Sequence, residues 1–185
     1  MNNKIYFAYT DALYYIFKSS CTIRIIIQKL TQIKGKFSNI LIAVDGSETS
    51  MNAAGFGIRM AKKDNAQLIA LHVVLSQLGY TYSSSLLSLI TPSTIKEILE
   101  RSKQEAQQWF DKISEKANAN SIQLKTEVVI SPTSVVGAIV DYAERGNVDL
   151  IVLGTRGRSG FKKMLLGSVI TGIVTYATCP IMVVK

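Results

Sequence analysis

From residue 38 onward, short apolar runs alternate with segments of helical spacing, and this alternation restricts the fold more than any other feature. The runs NILIAVD, AQLIALHVVL and VDLIVLG are apolar almost throughout, which is typical of strands buried on both faces of a parallel sheet. Strands joined by helices run parallel through right-handed crossovers. The sequence therefore predicts an α/β fold, an open doubly wound (Rossmann-like) five-stranded parallel sheet with helices on both faces. The predicted strands are 39–45, 66–75, 122–130, 148–154 and 179–185, and the predicted helices are 47–63, 92–119, 131–146 and 168–178.

Residues 1–36 form a leader that differs from the predicted domain, residues 37–185. The leader is rich in Tyr, Ile and Phe, and Asp11, Lys18 and Arg24 interrupt its apolar stretches. Those charges disfavour both a signal peptide and a membrane span. A basic amphipathic helix lying on a membrane or on a partner is a further alternative. We prefer a leader of uncertain order to any of these.

Composition narrows the classes of function. The chain is 48% hydrophobic and 18% charged, which excludes wholesale disorder. Five of its eight net positive charges belong to residues 1–36, so the charge of the domain does not favour a nucleic-acid partner. Cys21 and Cys179 match no ligand or redox spacing and suit a cytoplasmic location, and a single histidine, His72, makes a zinc site unfavourable.

The segment GTRGRSGFKKMLLGSV, residues 154–169, is the strongest candidate for chemistry. In the strand order 3-2-1-4-5 the first and fourth strands are neighbours, and ligands bind beyond their carboxyl ends. The loop after the first strand is Asp45-Gly46-Ser47, and the loop after the fourth strand is this segment. Glycines let backbone N–H groups approach an anion, and a helix start at Gly167-Ser168 would attract phosphate. The nearby cations are Arg156, Arg158, Lys162 and Lys163.

Residues 38–185 resemble the nucleotide-binding members of the universal stress protein family. The likeness rests on NILIAVDGSE, LHVV, DLIVLGTRGRSG and CPIMVVK. It also rests on the family's ATP-binding signature, G-x2-G-x9-G-[ST], which Gly154, Gly157 and Gly167-Ser168 match without a gap. The resemblance covers the whole domain and leaves the leader unexplained.

The resemblance also implies a set of binding residues. At the adenine and ribose it implies Asp45, Val73, Ala43 and Val44, the last two through their backbone. Around the ribose and phosphates it implies Gly154, Arg156 and Gly157, and at the phosphate tail Gly167, Ser168 and Val169. The implied cofactor is ATP or AMP, with a divalent cation (Mg²⁺ or Mn²⁺) bound through the phosphates. It further implies a homodimer through the last strand, Pro180 to Val184, which agrees with the tendency of an exposed apolar edge to recruit a partner.

Three functions remain open. The first is a nucleotide-binding module that signals in the stress response without efficient catalysis. The second is a slow ATPase or a self-phosphorylating protein, although no catalytic residue and no metal-ligating set emerges, because Asp45 would lie far from the γ-phosphate. The third is a dimeric interaction scaffold that binds no nucleotide.

Overall fold

The computed structural model of the protein describes residues 5–8, 36–76, 92–155, 157 and 167–184. Its strands are β1 (Ile5–Ala8), β2 (Asn39–Ala43), β3 (Gln67–Leu75), β4 (Leu124–Ser131), β5 (Leu150–Gly154) and β6 (Ile181–Val184). Its helices are α1 (Glu48–Asp64), α2 (Pro92–Asn118), α3 (Val135–Arg145) and α4 (Ser168–Tyr176).

The described strands form one sheet in the order β1-β6-β5-β2-β3-β4. Strands β2 to β6, the five strands predicted from the sequence, pair in parallel throughout. Numbered among themselves they give the order 3-2-1-4-5, so the predicted fold is confirmed. The sixth strand was not predicted: β1 comes from the leader and pairs antiparallel with β6. The edge of β6 that would have been exposed therefore carries another strand.

Two helices pack on each face of the sheet because the strand side chains alternate between two hydrophobic cores. Ile40 and Ile42 belong to the core that α1 and α2 cover, whereas Leu41 belongs to the core that α3 and α4 cover. Each of these three side chains is completely buried. This explains why a strand in such a sheet is apolar at every position.

Serine caps determine where two of the helices begin. The Ser47 hydroxyl accepts a hydrogen bond from the Ser50 N–H (3.2 Å), so α1 starts where the sequence predicts. The predicted start of the third helix at residue 131 is wrong, because Ser131 still belongs to β4 and its carbonyl accepts from the Ser76 N–H. The Ser134 hydroxyl accepts from the Gly137 N–H (3.1 Å), and α3 begins one residue after this cap.

Among the described helices, none combines the length and the apolar content that crossing a bilayer would require.

Candidate functional site

The candidate site lies at the carboxyl ends of β2 and β5, where the strand order reverses. Strand β2 pairs with β3 on one side and with β5 on the other, and the helices after β2 and β5 lead in opposite directions along the sheet. Such a reversal leaves a crevice above the sheet. Asp45 follows β2 and Gly154 ends β5, so the two loops singled out in the sequence meet at this crevice.

The turn after β2 is held together by Asp45 and Ser47. Asp45 Oδ1 accepts hydrogen bonds from the Ser47 N–H (3.0 Å) and the Ser47 hydroxyl (2.6 Å). The Ser50 hydroxyl in turn donates to the Ser47 carbonyl (2.9 Å). The carboxylate of Asp45 is therefore oriented before any ligand arrives, because its turn and the first turn of α1 share these bonds.

The aromatic rings of Trp109 and His72 pack against the same turn. Gly46 has φ of +79°, and a Cβ at this position would overlap the indole ring of Trp109. The rings of Trp109 and His72 meet edge to face with centroids 5.1 Å apart, and His72 Nδ1 lies 2.7 Å from the Val44 carbonyl oxygen. From the sequence we predict only that Trp109 lies in the helix 92–119. Gly46, the glycine next to Asp45, is the feature of the sequence that could have indicated a close contact at this turn.

Gly157 closely approaches Asp45 across the crevice. A Cβ on Gly157 would lie 2.9 Å from Asp45 Oδ2, so a side chain here would displace the carboxylate. The loops after β2 and β5 are thus adjacent at this point. Gly154 has a different neighbour, because its Cβ would lie 2.5 to 2.7 Å from backbone atoms of Thr49 and Ser50 in the first turn of α1. Gly154 therefore permits α1 to pack against the end of β5.

The start of α4, beside the end of β5, presents backbone N–H groups for which the described residues supply no side-chain cap. Gly167 is the N-cap of α4 and makes no side-chain cap bond, and the first turn of α4 contains no acidic residue. The Gly167 N–H donates to the Thr155 carbonyl (3.3 Å), which ties this helix start to β5. Exposed Ser168 opens the helix. These are the features of an anion site at a helix N-terminus.

Thr155 is a residue that the sequence analysis did not single out. It is 4% exposed, and its hydroxyl has no hydrogen-bond partner among the described residues. Its backbone is fully engaged, since its N–H donates to the Val184 carbonyl (2.8 Å) and its carbonyl accepts from Gly167. The position of this hydroxyl inside the glycine signature was the feature of the sequence that could have drawn attention to Thr155. Buried hydroxyl groups usually have a hydrogen-bond partner, and the described residues supply none for this oxygen at the carboxyl end of β5.

The residues expected around an adenine ring divide between two faces of the sheet. Ala43, Val73 and Val169 are partly buried and pack on the core beneath α3 and α4, so they share one face. Val129 is paired with Val73 and belongs to the same face, which the sequence did not indicate. Val44 belongs to the opposite core and is 3% exposed.

The backbone of Val44 is already bonded within the protein. Its N–H donates to the Leu71 carbonyl (2.9 Å), and its carbonyl oxygen is the partner of His72. The Val44 N–H is therefore not available to a ligand. Val44 can contact a ligand only through van der Waals contact or through the second lone pair of its carbonyl oxygen.

The four basic side chains of the glycine-rich segment, Arg156, Arg158, Lys162 and Lys163, lie outside the described residues. Within the described ranges, no three side chains of His, Cys, Asp or Glu come together as a metal site would require.

A groove of about 660 Å³ lies elsewhere, between β4 and α3. Its polar lining is internally paired: Lys125 Nζ contacts Glu127 Oε2 (2.9 Å), and the Tyr142 hydroxyl donates to the same oxygen (2.5 Å). Burial raises the pKa of Tyr142, whereas the hydrogen bond from Tyr142, with that from Lys125, lowers the pKa of Glu127. Because a carboxylate already neutralises this lysine, the groove suits a phosphate less well than the start of α4 does.

Comparison with known proteins identifies the family to which this fold belongs. The profile of the Universal stress protein family matches residues 36–185. A universal stress protein of Methanocaldococcus jannaschii is 33% identical over 149 residues, which cover 80% of this chain and 82% of that protein. The structure of the universal stress protein UspA from Lactobacillus plantarum superposes with a TM-score of 0.71 at 26% identity, over 82% of this chain and all of that one.

Two further solved structures share the fold at lower identity. One is a universal stress protein from Archaeoglobus fulgidus in complex with dAMP, with a TM-score of 0.56 at 17% identity over 81% of this chain and 99% of that one. The other is a universal stress protein in complex with cAMP, with a TM-score of 0.57 at 19% identity over 80% of this chain and 97% of that one. With the family profile covering the entire domain and the sheet order in agreement, this chain belongs to the universal stress protein family.

Proposed function

We propose that this protein binds an adenine nucleotide, ATP or AMP, in the crevice between β2 and β5 and signals its nucleotide state in a stress response. The observation that carries the proposal is the polarity of the crevice. The first turn of α1 is capped by Ser47 and carries Glu48, whereas the first turn of α4 has neither a side-chain cap nor an acid. An anionic ligand is therefore favoured at α4 and disfavoured at α1.

This polarity orients the nucleotide. The phosphates would lie at Gly167, Ser168 and Val169, where the free N–H groups and the Ser168 hydroxyl can donate hydrogen bonds. The ribose would lie at Asp45, because a carboxylate accepts from ribose hydroxyl groups as it does in dinucleotide-binding folds. Gly157 supports the placement of the nucleotide beside Asp45, because a side chain at this position would displace the carboxylate. Gly154 and Arg156 belong to the same proposal as parts of the loop between these groups.

The adenine ring would lie against the face that Ala43, Val73 and Val169 share. All three are partly buried apolar residues on one face of the sheet, and a flat apolar base suits such a surface. Val44 would contribute van der Waals contact or the second lone pair of its carbonyl oxygen. The dAMP and cAMP complexes of proteins with this fold support an adenine nucleotide in general rather than ATP in particular.

A divalent cation, Mg²⁺ or Mn²⁺, belongs to the proposal as an ion held through the phosphate oxygens, because Mg²⁺ is commonly bound in this way. The proposal does not include efficient catalysis. His72, the single histidine of the chain, is engaged by the Val44 carbonyl and by the Trp109 ring, which makes it a poor general base. We further propose a cytoplasmic location, on the spacing of the two cysteines.

A homodimer through Pro180 to Val184 stays a prediction, and the pairing of β1 with β6 changes what it requires. A second copy could use this edge only after β1 has left it.

The decisive experiment is mass spectrometry of the small molecule that denaturation of the purified protein releases. We expect ATP or AMP, and we expect added ATP to raise the melting temperature of nucleotide-free protein. A Gly157→Val variant should lose most of this shift, because its side chain would collide with Asp45. Gly55→Ala is the matched control, since a Cβ at Gly55 meets only the far end of Arg59 at 3.9 Å.

The alternatives predict other outcomes. Absence of both a released nucleotide and a shift with ATP would contradict the proposal and favour the scaffold. Rapid turnover of ATP that a single side-chain substitution abolishes would favour an enzyme.

A further inference from the structure

The two edges of the sheet differ in chemistry. Strand β4 presents Lys125 and Glu127 at one edge, and charged side chains there hinder pairing with another strand. Strand β6 has the sequence Ile-Met-Val-Val, and all four residues are buried. An uncharged apolar edge of this kind recruits another strand unless something covers it.

The backbone of β6 is available for pairing on the side away from β5. The carbonyls of Pro180 and Val184 accept from β5 and from the residue after it, the N–H groups of Ile151 and Thr155. Because backbone groups alternate in direction along a strand, those of Ile181 and Val183 point to the other side. They form the interaction surface that we call the β6 edge.

Strand β1 occupies the β6 edge over its whole length. Its four residues pair antiparallel with the four residues of β6, in a register that places Tyr6 opposite Val183 and Ala8 opposite Ile181. These are the pairs that exchange backbone hydrogen bonds across the β6 edge. Residues 9–38 connect β1 to β2 covalently, so the pairing is intramolecular.

We propose that β1 is an intrachain cap on an interaction surface whose other occupant is a second copy of this chain, because a second copy carries the same uncharged edge and two identical edges can pair about a two-fold axis. The cap and the second copy need the same backbone groups of Ile181 and Val183, so they exclude each other. An intramolecular strand competes at a far higher effective concentration than a separate chain at micromolar concentration. Release of β1 therefore controls self-association through the β6 edge. This inference rests on the proposed homodimer through Pro180 to Val184 and does not depend on nucleotide binding.

The test is sedimentation velocity over a concentration series, with hydrogen exchange of the Ile181 and Val183 amides measured on the same samples. The test variant is Tyr6→Pro/Ala8→Pro in the full chain, because proline removes the two N–H groups that face β6. The control variant is Thr10→Pro, which places the same residue just outside β1.

We expect the original chain to be monomeric at micromolar concentration with both amides protected. The test variant should dimerise about tenfold more tightly or better, and its amides should be protected only in the dimer. The control should match the original chain. A synthetic peptide of residues 4–9 should dissociate the dimer of the test variant, because it replaces the cap.

Three results would overturn the proposal. In the first, the test variant stays monomeric although both amides exchange freely, so the uncovered edge recruits no second copy. In the second, the original chain is a dimer that the double proline substitution leaves unchanged. In the third, the original chain is a dimer that the substitution dissociates, which would mean that β1 pairs with the other copy.

Discussion

The start of α4 allows a substitution that should raise the stability of the protein while lowering its affinity for nucleotide. Gly167 is the N-cap of α4, with φ of −69° and ψ of 156°, and it provides no side-chain cap. Among the described residues, a Cβ at this position would contact only the Thr155 carbonyl oxygen, at 3.9 Å. Gly167→Ser therefore fits without strain, and its hydroxyl would accept from the free N–H of Val169 or Ile170.

The expected gain in stability has two parts. Serine is a better N-cap than glycine by a few tenths of a kcal/mol, roughly 0.3 kcal/mol. Replacing glycine also removes conformational entropy from the unfolded chain, which contributes about 0.4–1 kcal/mol. In a chain of this size, about 1 kcal/mol corresponds to about 2–4 °C in melting temperature. We expect Gly167→Ser to raise the melting temperature of the nucleotide-free protein by this amount.

The expected loss of affinity arises because the new hydroxyl takes a donor that the phosphate would use. A hydrogen bond to a charged group contributes about 1.5–3 kcal/mol, which corresponds to roughly 10- to 150-fold in affinity. Isothermal titration of the variant with ATP and with AMP measures this directly. The loss should be larger for ATP, whose longer phosphate tail reaches α4.

A variant that is more stable and yet binds ATP with unchanged affinity would refute this reasoning, because it would show that the start of α4 does not hold the phosphates. Gly167→Asp gives a second measurement. It supplies the same cap but adds a negative charge, so binding should fall further while stability again rises.

Three further predictions concern packing, a spectroscopic signal and a thiol. Gly55→Ala should raise the free energy of unfolding by about 0.8–1.0 kcal/mol in urea titrations, since alanine is the better helix former. Gly57→Ala should gain less or lose stability, because its Cβ would lie 2.7 Å from the Ile42 side chain; equal gains would contradict the packing of α1. ATP should change the emission of Trp109, the single tryptophan, because this ring contacts the turn that carries Asp45, and an unchanged spectrum at saturating ATP would argue against binding there. Burial raises the pKa of the Cys179 thiol to about 11, so with the other cysteine replaced by serine its alkylation should be slow at pH 8 and accelerate toward pH 11; fast alkylation at pH 8 would contradict this burial.

The parallel sheet and its order could be predicted from the sequence because the signals are local. Each buried strand is apolar at successive positions, and each crossover contains one helix, which leaves few topologies open. The start of α1 at Ser47 was predicted for the same reason, since a serine cap acts within one turn. The start of α3 was misplaced because Ser131 and Ser134 are both suitable caps, and only the pairing of Ser131 in β4 decides between them.

The site was predictable only in its outline. Three glycines at fixed spacing indicate a loop that approaches something closely, but the neighbour that each one meets depends on the packing of distant elements. Gly154 meets the backbone of α1, Gly157 meets Asp45, and Gly167 meets the Thr155 carbonyl oxygen at van der Waals distance. The bracing of Gly46 by Trp109 depends in the same way on how α2 packs against the sheet.

The sequence by itself determined the class of the sheet, the positions of its strands and the presence of a small-residue loop at the switch point, because burial and capping act on neighbouring residues. Tertiary structure alone decided that β1 covers the β6 edge, since strand pairing uses backbone groups that every residue carries and leaves no pattern in the chain. It also decided that α1 starts with a side-chain cap whereas α4 starts without one among the described residues, because a cap can be recognised only once the helix start and its partners are known.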